Sequence, residues 1–239
     1  MMPISVGAIS SVAVIGWGAN DTYAPLANYM GCGYSSWSPR LPNCSIITPL
    51  MAIQERFATV AAGRVKITYT HGCDVESNDT SEFAAAISAA KAADLVIFVG
   101  GNRNCEGGQG HGGAHCESEG HDRPDLEMPG VQTQLLQQLH AANKNTVLLV
   151  LTGGPISMNW EAANLPAIFV IWYGGQMMGT AITDVLLGDV SPAARSPFTW
   201  PTGLSQVPDE LDMSPSTPPG RTYRYLQPTP LYRSVPTFE

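Results

Sequence analysis

The chain has 239 residues, 44% of them apolar and 13% charged, which is enough apolar material for a buried core and excludes an intrinsically disordered chain. Twelve Lys and Arg against 20 Asp and Glu give a net charge of −8, a field that repels phosphate backbones and anionic lipid surfaces, so nucleic acid is not an expected partner. No run approaches the roughly 18 consecutive apolar residues of a membrane span, so no membrane association is expected either.

In chain order, the apolar stretch 4–15 has no Lys or Arg before it, the first being Arg40. It therefore lacks the positive flank of a signal peptide and reads as the approach to a first strand at 12–15. Thr48 followed by Pro49 predicts a capped helix over 49–57. A strand follows at 65–69, then an Ala-rich helix over 79–92 with Phe83, Ile87 and Ala90 on one stripe, then a strand at 95–99. Residues 101–128 form a long connection. After it come a helix over 129–142 carrying Leu135, Leu136 and Leu139, strands at 147–151 and 167–173, and a helix over 176–187 that Gly188 stops. The strand runs are β-branched and apolar enough to be buried on both faces. Strands alternating with helices predict a layered α/β sandwich with a mainly parallel sheet over residues 8–200. The Pro-rich remainder, 201–239, has little periodicity and is expected to be an extended tail packing on the domain.

The connection after the third strand is the chemically richest segment. It holds seven Gly between Gly101 and Gly120, four acidic residues before Pro124 (Glu106, Glu117, Glu119 and Asp122) and three His. Loops this long in a compact domain tend to be functional, and in open α/β sheets ligands gather at the carboxyl ends of strands. The loop is expected to be the most exposed and least regular of the domain. In Glu117-Ser118-Glu119-Gly120-His121-Asp122-Arg123, two Glu sharing a site would raise each other's pKa while Arg123 could hold Asp122 ionised, leaving one carboxyl as a general acid. An acidic surface loop is the plainer account of the same spacing.

Other motifs carry less. Cys105, His111, His115, Cys116 and His121 crowd the loop, but their spacing matches no common zinc pattern and no metal is expected. Gly16-Trp17-Gly18 after a strand resembles the start of a dinucleotide fold, yet Asp21 stands where a third Gly belongs, and a tight strand-to-loop turn explains the glycines. Gly108-Gln109-Gly110-His111-Gly112-Gly113 has no helix after it. No cofactor is expected. There is no Gly-x-Ser-x-Gly elbow and no phosphate-binding P-loop. Trp160, Trp172 and Tyr173 could stack on a sugar, although Trp172 and Tyr173 at the end of an apolar strand read first as packing. Five cysteines do not fix the compartment, and sequons at Asn20, Asn43 and Asn78 tilt it toward secretion.

The order of motifs resembles the C-terminal α/β sandwich domain of glycoside hydrolase family 3, in particular its β-xylosidase-like branch. The resemblance runs through Val12-Ala13-Val14-Ile15-Gly16, Gly72-Cys73-Asp74-Val75, the 117–123 stretch, Pro129-Gly130-Val131-Gln132, Gly153-Gly154-Pro155, Trp172-Tyr173-Gly174-Gly175-Gln176 and Gly188-Asp189-Val190-Ser191-Pro192. Asp212-Met213-Ser214 followed by Pro219-Gly220-Arg221-Thr222-Tyr223-Arg224-Tyr225 points to the xylosidase branch. The chain departs from the pattern at Ala193-Ala194-Arg195-Ser196-Pro197, where the family usually shows two Gly, Arg, Leu and Pro.

The resemblance implies the second domain of a retaining exo-β-glycosidase acting on an oligosaccharide or glycoside. This domain would supply the acid/base loop, and an N-terminal (β/α)8 barrel would supply the Asp nucleophile. By motif, Glu117 is the first acid/base candidate, Glu119 the second and Glu106 the third, with Asp122 and Arg123 binding substrate or supporting the loop. It also implies a secreted or extracellular protein. The alternative is a catalytically inactive carbohydrate-binding or accessory domain built on the same sandwich.

Overall fold

A computed structural model of the protein describes residues 2–26, 45–105 and 114–227. Five strands, β1 (Ser11–Ile15), β2 (Lys66–Thr70), β3 (Leu95–Gly101), β4 (Thr146–Leu151) and β5 (Ala167–Val170), pair in the order β2-β1-β3-β4-β5. Every pairing is parallel. The helices are α1 (Pro49–Val60), α2 (Phe83–Lys91), α3 (Gln132–Ala142), the short α4 (Asn159–Asn164), α5 (Met178–Leu187) and a single turn, α6 (Thr222–Tyr225). The expected α/β sandwich with a parallel sheet is what the chain forms.

Strand periodicity sorts the side chains into two cores. Val12, Val14, Ile97, Val99, Leu149 and Leu151 face α1 and α5, meeting Ile53, Phe57 and Ile182. Their alternates Ala13, Ile15, Val96, Phe98, Leu148 and Val150 face α2 and α3, meeting Phe83, Leu135, Leu136 and Leu139. β3 and β4 are buried along their whole length. The expectation of burial on both faces fails for β2 and β5, which are only half-buried because they are the sheet's edges.

Local chemistry sets the helix ends. Thr48 caps α1 as expected, its Oγ accepting from the Met51 N–H at 3.2 Å, and Gly188 ends α5 in the left-handed region. The second helix begins at Phe83 and not at 79. There the Asp79 N–H donates to Ser77 Oγ at 2.9 Å and Asp79 Oδ1 accepts from the Ser81 N–H at 2.8 Å, side-chain turns that compete with a helix. The third begins at Gln132 and not at 129 because Gly130 has φ +61°, and a Cβ there would lie 2.6 Å from the Ser77 carbonyl oxygen. β5 stops at Val170, short of the expected 173, just before Trp172 turns left-handed at φ +53°.

At the junction of β1 and β3 the chain closes its own crevice. Gly16 has φ +115°, and a Cβ there would lie 2.2 Å from the Val99 carbonyl oxygen, so this glycine is a tight turn and not part of a dinucleotide cradle. Trp17 fills the space behind it, donating its indole N–H to Gln132 Oε1 at 3.0 Å, with the Arg103 guanidinium 4.8 Å from its ring centroid. Fully buried Gln132 also accepts from the Gly101 N–H at 2.9 Å, and its amide nitrogen donates to the carbonyls of Val75, Gly101 and Pro129.

Replacing Gln132 by Leu strands the Trp17 and Gly101 N–H groups in a dry interior. Each such orphan costs about 1–3 kcal/mol, so Gln132→Leu is expected to lower the unfolding free energy by ~3 kcal/mol or more in urea titration; an unchanged midpoint would contradict this account of the hub.

A carboxylate held from three strand ends

Past β3 the chain runs through buried Asn102, Arg103 and Asn104. Gly101 lets it leave the sheet, with φ +120° and no room for a Cβ against the Leu151 carbonyl. Asn104 then forms a parallel bridge with Glu117, in which the Glu117 N–H donates to the Arg103 carbonyl at 3.0 Å and the Cys105 N–H to the Glu117 carbonyl at 3.2 Å. A disulfide joins Cys105 to Cys116 across this bridge, with their Cα atoms 4.9 Å apart. The expected exposed and irregular loop is corrected at its two pinned ends, while Glu119, Gly120, His121, Asp122 and Pro124 are exposed as expected. Asn102, Arg103, Asn104 and Cys116 are all buried, because a disulfide and a bridge pin the two ends of the excursion together.

From Glu117 the chain makes a tight turn, Ser118 and His121 exchanging backbone hydrogen bonds around left-handed Gly120. The turn leaves Glu119 and Asp122 exposed and brings Arg123 back underneath. Arg123 pairs with Glu117, Nε to Oε2 at 3.2 Å, the two side chains being 6% and 14% exposed. This corrects the expectation that Arg123 would hold Asp122: the two are adjacent in sequence, but only Glu117 points inward. The Arg123 guanidinium is itself fixed by the Pro155 carbonyl.

The Glu117 carboxylate is also held from the neighbouring strand ends. Beyond β4, the Gly153 N–H donates to Oε1, and the Thr152 hydroxyl lies 3.2 Å from the same oxygen. Beyond β5, the Tyr173 hydroxyl donates to Oε1 at 2.6 Å. Burial, followed by the Glu117 charge, pushes the Tyr173 phenol well above its ordinary value, with Arg123 and Arg103 pulling weakly the other way. Tyr173 thus stays protonated and acts as a donor. Sequence reasoning read Tyr173 first as packing, with stacking on a sugar as the alternative, and gave Thr152 and Gly153 no role. Their position at the carboxyl ends of strands was the available signal.

Around this carboxylate lies an open cavity of about 590 Å³, with Glu119, His121, Asp122 and Tyr173 on its walls. Glu106 and His111 lie outside the described residues. Cys105, Cys116 and His121 do approach one another, their ligand atoms within 4.8 Å, but sulfurs bonded to each other offer no thiolates, so the set does not fit zinc. His115 is engaged elsewhere, 3.1 Å from Asp125 Oδ2 and 3.6 Å from Glu76 Oε2. The buried free Cys73 has its thiol pushed up to about 12 by burial and by Asp74 and Glu82, which makes it inert.

Residues 1–234 match the model of the family described as the glycosyl hydrolase family 3 C-terminal domain. The chain belongs to this family. A β-xylosidase of Formosa agariphila is 33% identical over 236 residues, covering 97% of this chain and 30% of that protein. Among solved structures, the family 3 exo-β-xylosidase XlnD in complex with a xylobiose aziridine activity-based probe superimposes with a TM-score of 0.81 at 31% identity, over 98% of this chain and 28% of that one. A family 3 β-glucosidase of Bifidobacterium adolescentis gives 0.68 at 28% identity, over 89% of this chain and 27% of that one. This family 3 domain is homologous to β-xylosidases and β-glucosidases and spans under a third of the length of these relatives, which therefore contain further domains.

The pinned loop yields a test. Reducing the Cys105–Cys116 disulfide with a dithiol is expected to speed amide exchange at Cys105 and Glu117, whose N–H groups make the bridge, while the amides of β3 keep their protection. Equal rates before and after reduction would show that the backbone bridge holds without the cross-link.

Proposed function

We propose that this domain supplies the acid/base carboxylate of a retaining exo-β-glycosidase of the β-xylosidase or β-glucosidase type, and that Glu117 is that carboxylate. The nucleophile comes from an N-terminal (β/α)8 barrel, and the substrate is an oligosaccharide or glycoside cut at its non-reducing end. The observation that carries this reading is the disposition of donors on Glu117. Oε1 accepts from the Gly153 N–H and the Tyr173 hydroxyl and has the Thr152 hydroxyl, which donates to the Gly154 carbonyl at 2.6 Å, beside it, whereas Oε2 is met only by Arg123 among the described residues. A carboxylate has about four lone-pair positions, so Oε2 keeps one open toward the cavity for a proton passing to the leaving oxygen. The carboxylate is oriented at the wall of a cavity instead of swinging in solvent, which is what proton transfer to a fixed glycosidic oxygen requires.

In this reading Glu117 protonates the leaving oxygen while the barrel's Asp attacks the anomeric carbon, and Glu117 then takes a proton from the water that releases the glycosyl-enzyme. Such a pair of carboxyls stands about 5–5.5 Å apart. Glu119 and Glu106 remain the second and third candidates for this role. Arg123 supports the loop, and exposed Asp122 is placed to meet substrate. We read residues 8–200 as the sandwich and 201–239 as its tail, of which 228–239 lie outside the described residues.

The same reading places the protein in an oxidising, secretory setting, supported by the Cys105–Cys116 disulfide and by the exposed sequon at Asn78. The sequon at Asn43 lies outside the described residues. Among the described residues no helix is long and apolar enough to cross a membrane.

In the chain joined to a family 3 barrel, Glu117→Ala is expected to slow glycosides with poor leaving groups by about 10²-fold or more, to spare activated aryl glycosides in the first step, and to be rescued by azide in the second. If Glu119→Ala or Glu106→Ala gives that pattern while Glu117→Ala turns over normally, the assignment moves to the other residue. If none of the three does, the domain is an accessory carbohydrate binder. The chain without a barrel is expected to show negligible hydrolysis of aryl xylosides and glucosides.

A further inference from the structure

Resting on the acid/base reading of Glu117, the geometry points to Tyr173 as a positioning residue for the reaction: its hydroxyl fixes the orientation of the Glu117 carboxyl and governs how readily that group releases its proton. Three independent features converge on this. The first is the bond itself, 2.6 Å from hydroxyl to Oε1, a separation typical of a hydroxyl on a charged acceptor.

The second is backbone strain immediately before Tyr173. Trp172 is left-handed at φ +53°, a conformation strained for a bulky residue that persists only where the surroundings enforce it. Here they do. The Trp172 ring meets Phe198 edge-on at 5.6 Å and Trp200 at 6.4 Å, and those two rings pack on each other at 5.0 Å. The strain thus falls at the step where the chain leaves β5 and delivers the phenol to the carboxylate.

The third is the space provided. A Cβ on Gly153 would stand 3.2 Å from the Tyr173 ring and 3.4 Å from Glu117 Oε1, so glycine at this strand end leaves ring, carboxylate and backbone donor in mutual contact.

The chemistry follows from charge. When the Oε2 proton moves to the leaving oxygen, negative charge appears on Glu117, and the Tyr173 hydroxyl on Oε1 strengthens as it does so. The hydroxyl therefore favours the transition state over the protonated ground state. Arg123 acts in the same sense from Oε2. Glu119, His121, Asp122 and Asp125 face the cavity, and Arg103 lies behind the phenol, where its charge reaches Tyr173.

Two measurements test this. On the chain alone, proton NMR is expected to show a slowly exchanging low-field hydroxyl resonance that is lost in Tyr173→Phe and moves upfield in Glu117→Gln, where the acceptor is neutral. Its absence from the unsubstituted protein, or indifference to Glu117→Gln, overturns the contact in solution. In the chain joined to a barrel, Tyr173→Phe is expected to lower kcat/KM about tenfold for poor leaving groups and little for activated aryl glycosides. The basic limb of the pH profile should move up, because a carboxyl whose charged form has lost a donor holds its proton more tightly. A purely structural role would lower activity without moving that limb. If Glu117→Ala shows the acid/base pattern and Tyr173→Phe leaves the limb in place, this inference fails alone. If Glu117→Ala shows no such pattern, the acid/base assignment fails while the NMR result still reports the Tyr173–Glu117 bond.

Discussion

A single buried amide, that of Gln132, fixes where the chain leaves the sheet, and the site inherits its position from that point. Both hydrogen-bonding ends of this side chain are used. The oxygen serves Trp17 and Gly101, and the nitrogen serves carbonyls from Val75, Gly101 and Pro129. The first turn of α3 is thereby tied to the last residue of β3 and to the turn after β1. A polar group in so dry a place is tolerated only when every partner is satisfied, and once satisfied it specifies one arrangement and penalises the rest. Gly101 held in this way sends Asn102, Arg103 and Asn104 along a defined path, and the backbone of Arg103 and Cys105 then bonds Glu117.

The site is built on sheet geometry more than on its loop. β3, β4 and β5 are parallel neighbours, so their carboxyl ends lie side by side. Each contributes something to Glu117: a backbone bridge after β3, a backbone N–H after β4, a phenol after β5. A loop carrying a catalytic carboxylate would ordinarily have to order itself anew in each turnover. Here the disulfide removes part of that freedom covalently, and the donors from rigid strand ends remove the rest.

The elements that sequence pattern exposed were those whose signals are local. The β-branched runs became β1, β3 and β4, the Thr48-Pro49 pair capped α1, and Gly188 ended α5. The misses came where a local signal lost to something further away. Residues 79–82 did not extend α2 because Ser77, Asp79 and Ser81 bond to one another first, and residue 130 is not helical because the chain there, packed against the Ser77 backbone, takes a left-handed turn at φ +61° that only a glycine fits. β5 is as apolar as the central strands and only the strand order makes it an edge, whereas in β2 Lys66, Thr68 and Thr70 alternate with Ile67 and Tyr69, a local sign of a half-buried strand. In the site, the 117–123 stretch announced itself as a cluster of charges, but which carboxylate Arg123 would take depends on the turn at Gly120, and nothing near Tyr173 in sequence links it to a residue 56 positions away.

If Glu117 is the acid/base, as proposed, its being ordered beforehand has an energetic meaning for a site shared between domains. In the proposed division of labour the barrel brings a nucleophile and this domain a proton donor, and the reaction needs both at a fixed separation. If Glu117 found its orientation only on docking, the interface would have to supply the ordering free energy in addition to the cost of association. Its donors come instead from β3, β4, β5 and the 117–123 turn of its own domain, so that ordering is complete within the sandwich and interface energy goes only to setting the distance between the two carboxyls. The strain at Trp172 is met within the same fold, by Phe198 and Trp200. The aromatic residues that begin the path to the C-terminal tail are thus part of what aims Tyr173, so a change in how the tail packs would reach the carboxylate through two side chains, without any displacement of the sheet.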